Sequence, residues 1–297
     1  MIAPSMNRFC IVLMVLLASL AAPAQAKNYT QLSAVKRLRA EKRYDEALQK
    51  LEALAADTDD LGENYSYLSL AIEIAADSLK NTDRTLALAA AIKDPALRDF
   101  AKLRVLADFE RHDEALAFVR DKDIASWPVR CRGQAHGILA KIYHAKKDDA
   151  AEMQQWQLTA ESPGIEVSVR GRALRESGVL FQKQGNVAKA EEQFRKALEV
   201  TPANYAWRVE TLVGLSRLLI DQQRAKEAVK VFDGTDFAKV TSITHRGNLG
   251  EAHARALLAA GKKIRAIETF DQLLQLDLPA AWKERINQEL DQMAEEF

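Results

Sequence analysis

The chain has 297 residues, of which 42 are basic and 42 are acidic, so its formal net charge at pH 7 is zero. This balance argues against nucleic acid or an anionic membrane surface as the partner. Hydrophobic residues make up 48% of the chain and aromatic residues 7%, which is typical of a protein with a large core.

The N-terminal segment has the pattern of a secretory signal peptide. Arg8 supplies a positive charge, an apolar run follows from Phe9 to Ala22, and Ala24-Gln25-Ala26 is a small-residue cleavage site. The apolar run is short for a membrane span, and polar residues follow it. We therefore expect cleavage after Ala26 and an exported protein, periplasmic or secreted, with no stable membrane span in the mature chain. An uncleaved N-terminal anchor is the alternative.

The two cysteines indicate no internal disulfide. Cys10 precedes the apolar run instead of ending it, so a lipoprotein is not expected, and cleavage would remove this residue. Cys131 then stands alone in an exported chain. We interpret it as a small buried apolar residue, with a regulatory thiol or an intermolecular bridge as alternatives.

The spacing of the prolines predicts a repeated unit. The prolines that follow the signal segment are Pro95, Pro128, Pro163, Pro202 and Pro279. The first three gaps between them are similar in length, and the last gap is close to two units. Proline lacks a backbone N–H and restricts the residue before it, so it marks the ends and starts of helices. The segments between the prolines have helical periodicity, which favours an all-α chain built from one supersecondary unit.

One unit shows the predicted helix pair clearly. A first helix over residues 173–184 and a second over residues 189–200 are joined by a turn at Gly185-Asn186. A short turn makes the two helices antiparallel. We expect Gly178 and Ala190 to let the backbones approach closely, while Phe181 and Phe194 fill the space beside them.

At these positions the sequence resembles the tetratricopeptide repeat family, whose unit is a helix–turn–helix of about 34 residues. The matching residues are Leu174, Gly178, Phe181, Gly185, Ala190, Phe194, Ala197 and Pro202. The resemblance implies a right-handed superhelical solenoid of about seven antiparallel helix pairs over residues 27–278. Weaker matching segments are Arg43–Leu51, Arg111–Val119, Leu139–Ala151, Leu212–Phe232 and Ala254–Phe270, and Tyr65–Ile92 is expected to hold one more pair.

The repeat is longer than the family's unit. Ala190, Ala228 and Ala266 are evenly spaced, and their spacing exceeds the family's unit of about 34 residues. We expect the extra residues in longer first helices, for example over residues 203–223. In the tail, residues 279–297, Trp282 and Ile286 begin an apolar stripe at helical spacing, which predicts a C-terminal capping helix or, alternatively, an amphipathic segment that binds a partner.

The sequence holds no motif typical of an enzyme. It contains no H-E-x-x-H, G-x-S-x-G or glycine-rich phosphate loop. His136 and His144, like His245 and His253, are eight residues apart, which is about 12 Å along a helix and too far for one zinc ion. Asp59-Asp60 and Asp148-Asp149 fall in predicted turns. We expect no catalytic residues, no metal and no cofactor.

The family resemblance also implies where a partner would bind, because the first helices of such arrays generally line a concave groove. In each unit, one position of the first helix corresponds to the small position at Gly178. The residue that follows it is basic in five of six units: Lys36, Arg104, Lys141, Arg217 and Arg255, with Val179 as the exception. Arg172, Arg175 and Lys183 lie close to Val179 on its predicted helix. A basic groove would attract an acidic peptide or a carboxylate.

The alternative is that these cations form ordinary ion pairs on a solvated helix surface. Arg104 precedes Asp108 by four residues, Arg217 precedes Asp221 by four, and Arg255 follows Glu251 by four.

The leading hypothesis is therefore an exported scaffold that binds a protein or peptide in its groove. A self-associating structural component of the cell envelope, a homo-oligomer, is the alternative. An enzyme or small-ligand protein on a helical scaffold is a third possibility, and its mark would be a buried polar pocket.

Overall fold

The computed structural model describes residues 31–202 and 206–295. The expected signal peptide, residues 1–26, lies outside the described residues. The chain divides into two compact units, one ending at Lys122 and one starting at Asp123. Each unit is all-α in its described part.

The first unit contains three helix pairs. Its helices are α1 (residues 31–40), α2 (Tyr44–Asp57), α3 (Leu61–Asp77), α4 (Thr82–Ala90), α5 (Pro95–Asp108) and α6 (His112–Val119). Asp60, Asn81 and Asp94 cap α3, α4 and α5 by accepting hydrogen bonds from backbone N–H groups of the first turn. The pair α3–α4 confirms the helix pair expected over Tyr65–Ile92.

The second unit contains four helix pairs and a last helix. Its helices are α7 (Val129–Ala145), α8 (Asp149–Glu161), α9 (Val167–Lys183), α10 (Val187–Val200), α11 (Ala206–Asp221), α12 (Ala225–Lys230), α13 (Ile243–Ala259), α14 (Lys263–Leu274) and α15 (Ala280–Glu295). Two short 3-10 helices lie at Ile124–Ser126 and Phe237–Lys239. The expected number of about seven pairs is therefore confirmed in the described part of the chain.

The four pairs of the second unit follow one common register. The turn inside each pair places one residue at positive φ, and these residues are Lys147, Gly185, Gln223 and Gly261. The small position of each first helix is buried and carries Ala140, Gly178, Ser216 or Ala254. An aromatic ring is buried at one equivalent position, Trp156, Phe194 and Phe270 within second helices and Phe232 just after α12. The members of each set recur at one constant spacing, so these repeats contain no insertion or deletion relative to one another.

Gly178 and Phe194 show why the small position matters. A Cβ atom added to Gly178 would lie 2.8 Å from two atoms of the Phe194 ring, closer than carbon atoms pack. Phe194 and Ala190 are fully buried. The predicted close approach of α9 and α10 is therefore confirmed, and it places the aromatic ring over the glycine of the partner helix.

A second feature of the register was not predicted from the sequence. An arginine near the start of each first helix donates to backbone carbonyl groups of the segment that precedes the helix. Arg170 donates to Ala160 O and Ser162 O, both over 3.1 Å, and Arg208 donates to Leu198 O over 2.6 Å and Thr201 O over 2.9 Å. Arg132 and Arg246 make the equivalent contacts in their repeats. Each arginine supplies donors to carbonyl groups that the preceding segment leaves without helical partners.

The expected long first helix over residues 203–223 is not what the structure shows. Helix α11 spans Ala206–Asp221, and residues 203–205 are outside the described part. In the same repeat the second helix, α12, has only 6 residues, against 14 in α10. Residues 231–242 connect α12 to α13 through a turn at Gly234, whose φ is +75°. This repeat therefore combines a short second helix with a long connection to α13.

Helix α15 packs against the last helix pair. Its Ile286 and Met293 are buried against Phe270 and Leu273 of α14 and Leu278 of the preceding loop. None of the described helices is both long and apolar enough to cross a lipid bilayer. Cys131 is 1% exposed on α7, as expected for a small buried apolar residue.

Candidate binding surface

The predicted basic residues are divided between the two units. Lys36 on α1 and Arg104 on α5 belong to the first unit, where Lys36 is exposed and Arg104 is half-buried. The other six belong to the second unit, and their surroundings differ strongly.

Arg172 and Arg175 of α9 are held by neighbouring helices. The Arg172 guanidinium lies 4.5 Å from the ring centre of Trp207 and 5.4 Å from that of Trp156. Arg175 contacts Glu210 of α11 over 3.2 Å, and its side chain is 17% exposed. Cation–π contacts and ion pairs of this kind tie α8, α9 and α11 together, so much of the charge is already compensated.

Lys183 and Lys141 lie on the first helices of neighbouring repeats. The Lys183 ammonium is 2.5 Å from Asp149 of α8, a contact between repeats, and the Lys183 side chain remains 63% exposed. Lys141 is exposed on α7. An exposed pair such as Lys183–Asp149 adds little stability and can exchange with an anionic partner.

Arg255 of α13 is part of a network that docks α15. It donates to Glu289 of α15 over 2.6 Å and lies 2.8 Å from Glu251 of its own helix. Glu251 also accepts from Trp282 Nε1 and from Arg285, each over 2.8 Å. The hydrogen bond to Glu289 and the charges of Glu251 and Glu289 raise the pKa of Arg255 above its ordinary value, against the opposing effect of burial. The predicted i,i+4 pair with Glu251 is confirmed.

Arg217 of α11 differs from these residues. It is exposed, and it makes no ion pair with any residue in the described parts of the chain, so the alternative pairing with Asp221 is not formed. It borders a groove of about 370 Å³ between α11 and α13, together with Arg255. The other residues that line this groove are Val213, Ser216, Ile220, Asn248, Glu251 and Ala252.

The groove is lined by more basic than acidic side chains, and one of its buried polar atoms lacks a hydrogen-bond partner in the described chain. Arg217 and Arg255 line it together with one carboxylate, Glu251, and Arg217 makes no ion pair with the described residues. The Oγ atom of Ser216 is buried and has no hydrogen-bond partner in the described chain. Two of the predicted binding residues, Arg217 and Arg255, are thus brought to one groove.

Comparison with known proteins agrees with this architecture. Residues 175–204, which include most of α9 and all of α10, match the tetratricopeptide repeat family. This match covers one helix hairpin of the chain. No match was found among curated proteins.

Solved structures with a similar fold include tetratricopeptide repeat proteins. The apo form of the quorum sensor NprR from B. thuringiensis is 12% identical, with a TM-score of 0.51 over 90% of this chain and 86% of that one. A tetratricopeptide repeat protein from Parabacteroides merdae is 15% identical, with a TM-score of 0.46 over 86% of this chain and 95% of that one. BtubC from P. vanneervenii is also 15% identical, with a TM-score of 0.47 and coverages of 79% and 93%. At this identity the NprR likeness shows the fold alone.

The histidines have structural neighbours: His136 contacts Gln155 over 2.8 Å, and His144 contacts Glu152 over 3.0 Å. Asp148 caps α8 by accepting from Ala151 N, as its predicted turn position suggests. Within the described residues no cluster of His, Cys, Asp or Glu side chains is arranged to hold a metal ion.

Asn248, Ser216 and Glu289 were missed by the sequence reasoning. Asn248 occupies the position that Glu210 and Arg172 hold in the two preceding repeats. Asn248 and Ser216 line the groove, whereas Glu289 is connected to it through Arg255. Searching only for ion partners four residues away could not find Glu289, which lies 34 residues from Arg255.

Proposed function

We propose that the protein is an interaction scaffold that holds an extended acidic peptide of a partner protein between α11 and α13. The observation that carries this proposal is the exposed Arg217, without an ion-pair partner in the described chain, at the edge of a groove lined by both polar and apolar side chains. The ligand is a peptide segment with at least one Asp, Glu or C-terminal carboxylate.

The groove residues offer one contact for each part of such a peptide. The Arg217 guanidinium donates to the carboxylate in a charge-assisted hydrogen bond, whose contribution is about 1.5–3 kcal/mol when partly buried. The Asn248 amide both donates and accepts, which matches the N–H and C=O of a peptide group. Val213, Ile220 and Ala252 give the peptide an apolar surface to cover.

A selection from random peptides tests the proposal. A phage-displayed library would be selected on the immobilised protein, on the Arg217→Glu variant and on the Lys226→Glu variant. Lys226 is exposed on α12 and does not line the groove, so its variant matches the change in net charge. Circular dichroism would check that both variants fold.

We expect the wild-type protein and the Lys226→Glu variant to enrich the same acidic peptides, and the Arg217→Glu variant to lose them. Peptide affinity should also fall with added salt, because the contact is partly exposed. Equal enrichment by all three proteins, or no enrichment by the wild type, would refute the proposal.

We further propose that this scaffold acts outside the cytoplasm, since residues 1–26 have the pattern of a cleaved signal peptide. N-terminal sequencing of the protein from its native cells tests this: a mature chain beginning at Lys27 supports export. Light scattering over a range of concentrations addresses the alternative, because a structural component of the envelope would grow in size by self-association.

A further inference from the structure

A second cavity borders a different stripe of α13. It has a volume of about 470 Å³ and lies between the connection over residues 231–242, α13 and α14. Arg246, Gly250 and His253 line it from α13, whereas Asn248, Ala252 and Arg255 of the same helix line the groove beside α11. The proposed peptide site therefore makes no use of this cavity.

Two differences from the neighbouring repeats of the second unit create the cavity. Helix α12 ends after 6 residues, so the last turns of a full second helix are missing here. On α13, Gly250 and His253 stand where α11 has Leu212 and Leu215, which are both buried. A shorter helix thus coincides with the replacement of two buried leucines by glycine and histidine.

The inner wall of the cavity is aromatic and apolar. The His253 ring lies 5.1 Å from the ring centre of Phe232 and 5.5 Å from that of Phe237. Leu273 of α14 and Leu276, just after this helix, add aliphatic surface. A flat, ring-containing ligand could stack on this wall, because offset and tilted aromatic contacts are favourable.

The mouth of the cavity carries an uncompensated cation. Arg265 of α14 is exposed and makes no ion pair with the residues that the structure describes. Arg246 instead donates to Val240 O, over 2.8 Å at its closest, and thereby fixes the connection against α13. Glu268 is the one carboxylate among the described lining residues, against these two guanidinium groups.

Positive charges also lie close to the His253 ring. Burial lowers the pKa of this imidazole, and the positive charges of Arg265 and Lys262 lower it further, whereas Asp233 raises it. The ring is therefore a neutral part of the wall near neutral pH, and the nearby charge favours an anion.

We propose that this cavity binds a small organic monoanion, a carboxylate or sulfonate with an apolar ring system. The anionic group contacts Arg265 at the mouth, and the ring system packs against Phe237 and His253. The volume is within the range of about 300–1,000 Å³ that small-molecule sites occupy. This site is independent of the peptide groove.

A fluorescent probe of this chemistry tests the proposal. The probe is 8-anilinonaphthalene-1-sulfonate, an aromatic monoanion, titrated into the wild-type protein and into the Arg265→Gln, Ala238→Trp and Lys226→Gln variants. Ala238 is exposed on the 3-10 helix at the cavity edge, so an indole there would fill the entrance without disturbing the core. Lys226→Gln removes a cation outside the cavity. Circular dichroism would check that every variant folds.

We expect saturable binding of one probe molecule, weakened about tenfold or more by Arg265→Gln because a charge-assisted contact is lost. Ala238→Trp should abolish binding, and Lys226→Gln should leave it unchanged. The neutral probe N-phenyl-1-naphthylamine should bind more weakly to the wild type and be insensitive to Arg265→Gln. Non-saturable binding, or equal binding by all four proteins, would overturn the proposal. Equal loss in Arg265→Gln and Lys226→Gln would overturn it as well.

Discussion

The guanidinium of Arg255 donates a hydrogen bond to the carboxylate of Glu289 over 2.6 Å, joining α13 to the last described helix. The equivalent arginine one repeat earlier, Arg217, has no such partner in the described chain. Glu251, which follows Arg217 by 34 residues as Glu289 follows Arg255, is bound instead by Arg255, Trp282 and Arg285. The C-terminal helix therefore compensates one arginine of the groove and leaves the other available.

Removal of the Glu289 charge should strengthen the binding of acidic peptides. In Glu289→Gln, Arg255 loses its compensating carboxylate at the edge of the groove, and we expect a gain in affinity of about two- to fivefold from the added positive potential. Fluorescence anisotropy with an acidic peptide selected on the wild type measures this. Glu284→Gln makes the same change in net charge at an exposed position of α15. Equal gains in both variants would mean that only the overall charge matters.

Loss of the Glu251 charge should loosen the docking of α15. The Glu251 side chain is 11% exposed and accepts from three donors, so Glu251→Gln leaves Arg255 and Arg285 poorly compensated. We expect a loss of about 1–3 kcal/mol in the free energy of unfolding. Urea denaturation, compared with Glu284→Gln, measures it, and indistinguishable midpoints for the two variants would contradict the prediction.

The repeated arginines should each contribute to stability. Arg208→Met removes donors from Leu198 O and Thr201 O, which are then left without these partners at the end of α10. We expect a cost of about 1–3 kcal/mol, because unpaired and partly buried carbonyl groups are unfavourable. Arg217→Met is the matched control, since Arg217 is exposed and unpaired, and it should change stability by less than about 0.5 kcal/mol. Thermal and urea unfolding of both variants provide the comparison.

The helix pairs could be predicted from the sequence because their signals are local. Gly178, Gly185 and Phe194 lie within one hairpin, and the turn, the small position and the ring position follow from helix geometry alone. The same reasoning expected a first helix over residues 203–223 in the third repeat of the second unit. Local periodicity does not show that the second helix of this repeat ends at Lys230 and is followed by a connection with a turn at Gly234.

The pairing of the charges could not be predicted because neighbours in a repeat array lie one repeat away in sequence. Arg255 pairs with Glu289 at a separation of 34 residues, and Arg224 pairs with Glu191 at 33. For Arg255, a search for partners within one helical turn finds Glu251 alone. Which arginines remain available to a partner therefore depends on the contacts between successive repeats.

The contact between Glu191 and Arg224 predicts a pH dependence of stability. Glu191 of α10 accepts from Arg224 of the next repeat over 2.5 Å and from Arg195 over 2.9 Å. The hydrogen bond from Arg224, then that from Arg195 and the charges of both, lower the pKa of Glu191 below 4.5 despite its partial burial. Its contribution to stability is thus fully present above the pKa of the unfolded chain and is lost as pH falls through the lower, folded value.

Urea unfolding at several pH values between about 7 and 3 tests this prediction. The wild-type protein should lose more stability than Glu191→Gln as pH falls below about 4.5, because the variant has no carboxylate to protonate. Glu199→Gln, at an exposed position of the same helix, should follow the wild type. If Glu191→Gln has the same pH profile as Glu199→Gln, then the Arg224–Glu191 contact does not stabilise the junction between these repeats.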